Sequence, residues 1–477
     1  VGSAAFHLEV AMRVATGGCS SPANDAGSGA IGGGAAAGGF GATGGVGGVG
    51  ATGGIGGGVP DGGFCTGLQC QQQMCTVGTT SISGIVYDPA GKNPLYNVAV
   101  YVPNQQVRAL PSGASCDSCE SNYSGQPIAV GLTDAAGRFS IPNAPVGTNI
   151  PLVVQIGKWR RQFLVPNVVA CQDNPTVDKS LTLPKNHLEG DIPNIAIATG
   201  GADTLECLLR RIGVDASEFV PGASTTGRIH IFQGGDVAAP NTDPVGPLAS
   251  SALWNTSAEL MKYDIVLLSC EGAETVNMNQ QAMHDYTSAG GRLFASHFHY
   301  SWFTTGPFST ENLATWTPGA NALNNVRGEV VTRLSNGDPF PKGVAMMQWL
   351  ANVGALFNNR LDIFDPRHNA DVGPQHTVSQ AWIVADANSD SPGATQYFSF
   401  NTPTDVINSP DRNYCGRVVY SDLHVGAAAG DDTDFPVPES CAPLNLSAQE
   451  KALEFMLFDL SSCVIPDNLP PEPPLLE

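Results

Sequence analysis

Between residues 192 and 296, short and almost wholly apolar runs alternate with stretches of helical period, and no other feature constrains the fold as much. The run 192–198 ends in Thr199-Gly200-Gly201. Asp203 then opens a helix, with Glu206 three residues on as in a capping box, and Leu205, Leu208, Leu209 and Ile212 follow at helical intervals. Runs at 228–233, 264–269 and 292–296 read as further strands, separated by helical segments at 253–261 and 280–288. Strands apolar on both faces and joined by helices predict a parallel sheet covered on both sides, an α/β domain over residues 188–466. In such sheets ligands gather beyond the carboxyl ends of the strands. The polar residues at those ends are Gly234-Gly235, Cys270-Glu271-Gly272 and Ser296-His297-Phe298-His299-Tyr300; after a late strand at 417–421 come Asp422-Leu423-His424.

His-x-His on an extended backbone turns both imidazoles to one face. His297 and His299, with Asp422 and His424, therefore make a candidate ligand set for a divalent metal, Zn²⁺ or Mn²⁺. General acid–base chemistry is drawn as easily from His297, His424 and Glu271. A binding pocket without chemistry would use Gly234, Gly235, Glu271, His297, His299, Tyr300, Asp422 and His424. Cys270 ends a different strand from His297 and reads as a disulfide partner or a buried thiol, not a nucleophile.

Residues 78–184 have another period. SISGIVYD, NVAVYVPN, GLTDAAGRFSIPNAPVG, IPLVVQIGKW and RQFLVPNVV are short alternating runs, with turn chemistry at Asp88-Pro89-Ala90-Gly91 and Asp134-Ala135-Ala136-Gly137. They predict a small antiparallel β-sandwich, interrupted by an insert at 110–126 that reads as a stapled loop. Lys158-Trp159-Arg160-Arg161 is the one basic cluster. It either grips an anionic polymer, with Trp159 stacking on a sugar, or packs on the sheet with its cations neutralised. A closing helix at 446–460 puts Leu453, Met456, Leu457 and Leu460 on its core side, and the Pro-rich tail from about 467 to 477 is frayed.

Twelve cysteines, an even number set among Gly, Pro and Ser, indicate disulfides formed outside the cytoplasm. Cys415 and Cys441 flank an acidic loop at 430–434 and are expected to close it; that loop is either a Ca²⁺ site or a solvated turn. The chain has 22 basic and 43 acidic residues, a net charge of −21, which argues against nucleic acid or anionic lipid as partners. No apolar run reaches the ~18 residues of a membrane span. Residues 26–63 are mostly Gly with small apolar residues, a flexible linker, and a Cys-rich segment at 64–77 follows. Residues 1–25 make a poor secretory signal because His7, Glu9 and Arg13 interrupt any apolar core.

Three resemblances add to this reading. Thr16-Gly17-Gly18-Cys19-Ser20-Ser21 resembles the approach to a bacterial lipoprotein acylation cysteine, which implies a lipid on Cys19 and an outer-membrane, cell-surface or secreted location. Ser83-Gly84-Ile85-Val86, Thr133-Asp134-x-x-Gly137-x-Phe139 and Pro145-x-Gly147 resemble the carboxypeptidase regulatory-like, transthyretin-like module, which implies a non-catalytic stalk. Tyr263-Asp264-Ile265-Val266-Leu267-Leu268, the stretch Tyr286-x-x-x-Gly290-Gly291-Arg292-Leu293-Phe294-Ala295-Ser296-His297 and Gly416-Arg417-Val418-Val419-Tyr420-Ser421-Asp422-Leu423-His424 resemble the class I glutamine amidotransferase-like fold, closest to its trehalose-utilisation-type branch. That implies a flavodoxin-like sheet. The family's nucleophilic Cys would follow residues 292–296, where Ser296-His297 stands, and Val425-Gly426 replace the Pro-Glu after the late His. Glutamine hydrolysis is therefore not expected. Residues 301–410 have no counterpart. Two functions stay open: a ligand-binding surface protein, its ligand a carbohydrate or other small molecule, and a hydrolase, lyase or isomerase acting on a sugar or small amide at His297, His299 and His424.

Overall fold

In the sequence Arg-Phe-Ser-Ile-Pro (residues 138–142) only the second and fourth side chains are buried, the period-two signature of a strand with one wet face. The same logic builds eight strands: β1 (Ser81–Tyr87), β2 (Ala99–Pro103), β3 (Pro127–Leu132), β4 (Arg138–Pro142), β5 (Gly147–Ile156), β6 (Trp159–Val168), β7 (Asp173–Pro175) and β8 (Leu181–Thr182). They form two four-stranded sheets, β4-β1-β7 with β8 also on β1, and β3-β2-β5-β6. Ile82, Val86, Phe139 and Ile141 of the first face Val100, Val102, Leu152 and Val154 of the second. The sandwich is not wholly antiparallel as expected. β7 and β8 run parallel to β1, because the chain leaving β6 crosses back to the first sheet and can add only short strands there.

The computed structural model describes residues 65–116, 123–234, 248–275, 278–408, 413–424, 437–438 and 440–476. Cys19, the linker at 26–63, Cys119, Gly235 and the acidic loop at 430–434 lie outside them.

The second half is one eleven-stranded sheet. Its parallel part is β9 (Ile195–Ala198), β10 (Phe219–Pro221), β11 (Ile229–Phe232), β12 (Ile265–Leu268), β13 (Arg292–Ser296) and a late strand at Gly416–Ser421, in the order β10-β11-β9-β12-β13 and then the late strand. The sequence pattern stopped there. The unassigned segment contributes β14 (Thr315–Trp316) and β18 (Ala370–Asp371), which pair antiparallel as a separate two-stranded sheet, together with β15 (Arg327–Val330), β16 (Leu356–Phe357), β17 (Arg360–Asp362), β19 (Ser379–Ala385) and β20 (Thr395–Thr402). Five of these extend the sheet beyond the late strand, β21, as β20-β19-β15-β17-β16, all antiparallel. The sheet is mixed, not purely parallel.

Alternate side chains divide between two cores. Ile195, Ile197, Ile265 and Leu267 point to one face, and Ala196, Ala198, Val266 and Leu268 to the other. Helices α2 (Ser250–Trp254), α3 (Ser257–Leu260), α4 (Gln280–Ser288) and α5 (Ser301–Thr304) lie with the second group. The first face takes α1 (Leu205–Arg211), α6 (Pro341–Asn352) and α7 (Ala448–Ser461), and its core runs on into the sandwich. A helix with one apolar side was expected at α7. Instead it is buried on every side, because it fills the seam between the halves: Phe455 stacks on Tyr96 at 5.7 Å and Phe458 meets Trp159 edge-on at 5.9 Å. The sandwich and the α/β half thus share one hydrophobic core.

Among the described residues one disulfide crosses the same seam and three lie within the halves. Cys65–Cys70 and Cys75–Cys171 close the first half, Cys116–Cys415 ties its insert to the α/β half, and Cys207–Cys441 fastens α1. The expected Cys415–Cys441 bridge is corrected. Cys415, just before β21, is bonded to Cys116, and Cys441 to Cys207 on α1, so neither is available to the other. The insert is a strap between halves, not a loop stapled to itself. Each cation of the basic cluster is paired, Lys158 with Asp264 (2.6 Å), Arg160 with Asp191 (2.8 Å) and Arg161 with Glu189 (3.0 Å), and Trp159 is fully buried.

Candidate metal centre

Register decides what meets at the carboxyl edge of the sheet. Leu268 of β12 pairs with Ala295 of β13, and Ser296 with Ser421 of β21. Residues within three places of the carboxyl ends of three adjacent strands therefore share one place. They are Cys270, His297 and His424, all buried, with one ligand atom from each within 4.8 Å of the other two. His297 Nδ1 lies 3.3 Å from Cys270 Sγ and 3.2 Å from His424 Nε2. Cys270 is the free cysteine among the described residues.

His297 is held at φ 42°, a left-handed conformation rare outside Gly and Asn. β13 ends in extended geometry at Ser296 and the chain turns at once into a 3₁₀ helix, His297–Tyr300. A sharp strand-to-helix turn presents its first side chain at the top of a sheet, and strain of about 1–3 kcal/mol at such a position is characteristic of functional sites. That turn is also why His297 and His299 do not share a face. The backbone is helical there, not extended, and His299 turns into the core: Nε2 meets the Ser269 carbonyl at 2.9 Å and Nδ1 accepts from Trp302 Nε1 at 3.2 Å. Burial lowers its pKa to about 4. His299 is corrected from metal ligand to core residue.

Asp422 is likewise removed from the ligand set. Its Oδ1 lies 2.7 Å from the Tyr420 hydroxyl and its Oδ2 accepts from the Asn369 backbone at 2.8 Å, so both oxygens are committed; burial lifts its pKa to about 6. Tyr300 is buried and braces Gly319 (2.7 Å) and Glu274. Gly234 lies against the buried Glu271 carboxyl, and a Cβ there would fall 1.9 Å from the Thr199 carbonyl, so only Gly fits. Asp203 does not cap α1, whose N-cap is Thr204. Its carboxylate accepts from the Cys270 backbone (3.2 Å) and from the Ser296 hydroxyl, tying β12 to β13 beneath the cluster.

No family model matches the chain, and no curated protein is similar to it. Among solved structures it shows a likeness to a type II cohesin–X-dockerin complex from Acetivibrio cellulolyticus, at 14% identity, covering 31% of this chain and 78% of that one, with a TM-score of 0.15. A 9R-lipoxygenase from Cyanothece PCC8801 matches at 15% identity over 23% of this chain and 17% of its own, with a TM-score of 0.11. Likenesses of this size carry no argument about fold or function.

The geometry of the cluster has its own content. A tetrahedral Zn²⁺, with bonds of ~2.0–2.1 Å to nitrogen and ~2.3 Å to sulfur, has ligand edges of about 3.3 Å between nitrogens and about 3.5 Å between nitrogen and sulfur. The observed 3.2 and 3.3 Å approach those edges, so the group can hold a metal ion. His424 is oriented for this from behind: Asp365 Oδ2 stands 2.9 Å from its Nδ1, and the Gln449 amide donates to its carbonyl. A carboxylate behind a ligating imidazole is a recurrent metal-site partner. Burial, then repulsion from His424 and Arg367, lowers the His297 pKa to about 3 and keeps its lone pair available. Burial opposes charge on His424, but Asp203, Asp365 and Cys270 together outweigh it and hold its pKa well above the usual value.

Two of the four expected metal ligands, His297 and His424, are therefore brought together. Cys270, Asp365 and Asp203 were not expected in this role. Cys270 was set aside because it ends a different strand, and only the register shows that the strands are neighbours. Asp365 lies in the segment without a recognisable pattern and gave no signal.

Proposed function

We propose that the chain is an exported metal-binding protein that carries one Zn²⁺-type ion on Cys270, His297 and His424. One observation carries this reading: three soft or borderline donors from just past three adjacent strands converge in a buried place, within 4.8 Å of one another and with the two separations to His297 near tetrahedral edges. A thiol with two imidazoles selects Zn²⁺ over Mn²⁺, which prefers oxygen. Three protein ligands leave a fourth position for water or an exogenous ligand, the arrangement of exchangeable and catalytic zinc sites; that count keeps the hydrolase reading beside the binding one. In this proposal the α/β half is a degenerate class I amidotransferase-like domain. Its support is the strand order β11-β9-β12-β13-β21, which numbered along the chain is the flavodoxin-like 2-1-3-4-5. The sandwich is a carboxypeptidase regulatory-like stalk, and Cys19 tethers the whole to a membrane. The disulfides fit an exported protein, and no helix among the described residues is long and apolar enough to cross a membrane.

Elemental analysis of the purified chain tests the centre. Expected are one equivalent of zinc, a thiolate-to-metal charge-transfer band on replacement with Co²⁺, and loss of that band in Cys270→Ser. A metal-free protein that gives no such band with Co²⁺, or a Cys270→Ser variant that keeps full occupancy and the band, overturns the reading. Slower alkylation of Cys270 in a metal-free His424→Ala variant would assign the cluster to a thiol–imidazole pair instead.

A further inference from the structure

At the other end of β21 from the metal-type cluster lies a cavity of about 200 Å³. Gln380, early in β19, and Asn401, late in β20, line it and are each at least nine-tenths buried. Ser379 adds a buried hydroxyl with no partner among the described residues. Asp467, Thr377 and Tyr414 also line it, and Leu334, Val378 and Pro466 add apolar surface.

Asn401 and Asp467 are held from behind by Arg417, which is 1% exposed. Its Nη1 donates to Asn401 Oδ1 at 2.7 Å, its Nη2 to Ser399 Oγ at 2.8 Å and to Asp467 Oδ1 at 3.1 Å, and its Nε lies 3.3 Å from Asp459. Asp459 also pairs with the buried Lys342 at 2.8 Å. The guanidinium is fully engaged, so it presents no positive charge to the cavity. Amide, hydroxyl and one carboxylate side chain make up most of the lining, beside Leu334, Val378 and Pro466.

We infer that this cavity binds a neutral polyhydroxylated molecule of single-hexose size. An anion would meet Asp467 and no cation available to it, on a chain of net charge −21. A metal ion would find one carboxylate already paired with Arg417. An apolar ligand would leave the Ser379 hydroxyl buried without a partner, at a penalty that a hydrogen bond to the ligand avoids, although the Gln380 and Asn401 amides already donate to the Ala381 and Ile465 carbonyls. Vicinal hydroxyls, each both donor and acceptor, match such a lining. The volume lies below the ~300–1,000 Å³ of sites for larger ligands. Groups fixed by a buried ion-pair network lose little freedom on binding. The inference is independent of the metal centre.

Saturation-transfer NMR and calorimetry with D-glucose, D-galactose and D-mannose, each free and as the methyl glycoside, test it. At least one should bind with a dissociation constant of about 1 mM, the level that roughly twelve non-hydrogen atoms reach at ordinary ligand efficiency. Asp467→Asn should weaken that binding about tenfold. Thr377→Trp, which fills the cavity from an exposed position without touching Arg417, should weaken it by at least as much in a protein of unchanged thermal stability. No saturation signal from any of the six sugars, or binding that both variants leave intact, overturns the inference.

Discussion

Asp365→Asn is the most informative single change at the metal centre. Asp365 sits at φ 51°, where Asn is one of the few residues tolerated, so the backbone survives the substitution. The amide oxygen keeps an acceptor 2.9 Å from His424 Nδ1 but loses the negative charge. Carboxylates behind ligating imidazoles contribute about 10–100-fold in metal affinity. The lower end applies here, because the Asp365 side chain is 37% exposed and is shared with Arg367 at 2.8 Å. The expected loss is about tenfold, or ~1.4 kcal/mol. Competition against a chromophoric zinc chelator at fixed pH measures it, with circular dichroism melting to establish an unchanged fold. A change below twofold in a normally folded variant would refute the role assigned to Asp365 and weaken that of His424.

Two further outcomes concern the seam. Gly157 (φ +53°) sits in the β5–β6 turn, where a Cβ would lie 1.8 Å from the Ser461 carbonyl at the end of α7. Gly157→Ala should destabilise the whole chain by about 2–4 kcal/mol in urea melts, and a variant as stable as the parent would mean that the halves are not locked there. Glu454 of α7 is buried beside Asp88 of the first half and accepts from Asn93 at 2.7 Å; burial first, then Asp88, raises its pKa well above normal. A raised carboxyl contributes stability below its unfolded pKa and loses it as pH rises through the folded value. Wild type should therefore lose stability on leaving the acid range, by ~1.4 kcal/mol for each pH step between the unfolded and folded pKa values. Glu454→Gln should stay flatter and become the more stable of the two at neutral pH. Parallel pH–stability profiles would contradict this.

Local pattern was a good guide wherever one face or one period governed the chain. The sandwich strands β1, β2, β4, β5 and β6, the parallel strands β9, β11, β12 and β13, the late strand and α7 lie where spacing put them, whereas β3, β7, β8 and β10 fall largely or wholly outside the runs. It failed at two kinds of place. Residues 301–410 supply an antiparallel extension whose strands β19 and β20 are buried almost throughout, so they show no alternation to read. At Asp203 and His299 the local rule proposed one geometry, and neighbouring strands imposed another.

From the sequence alone came most of the short sandwich strands, most of the parallel strands and the edge at which polar residues collect, because apolar period is a local property. Which polar residues meet at that edge was settled by three-dimensional pairing. Placing β12, β13 and β21 side by side in register joins Cys270 to His424 across more than 150 residues, and the left-handed turn at His297 separates it from the histidine two places away. The disulfide partners and the shared core around α7 depend on distances that arise only when both halves close on one helix.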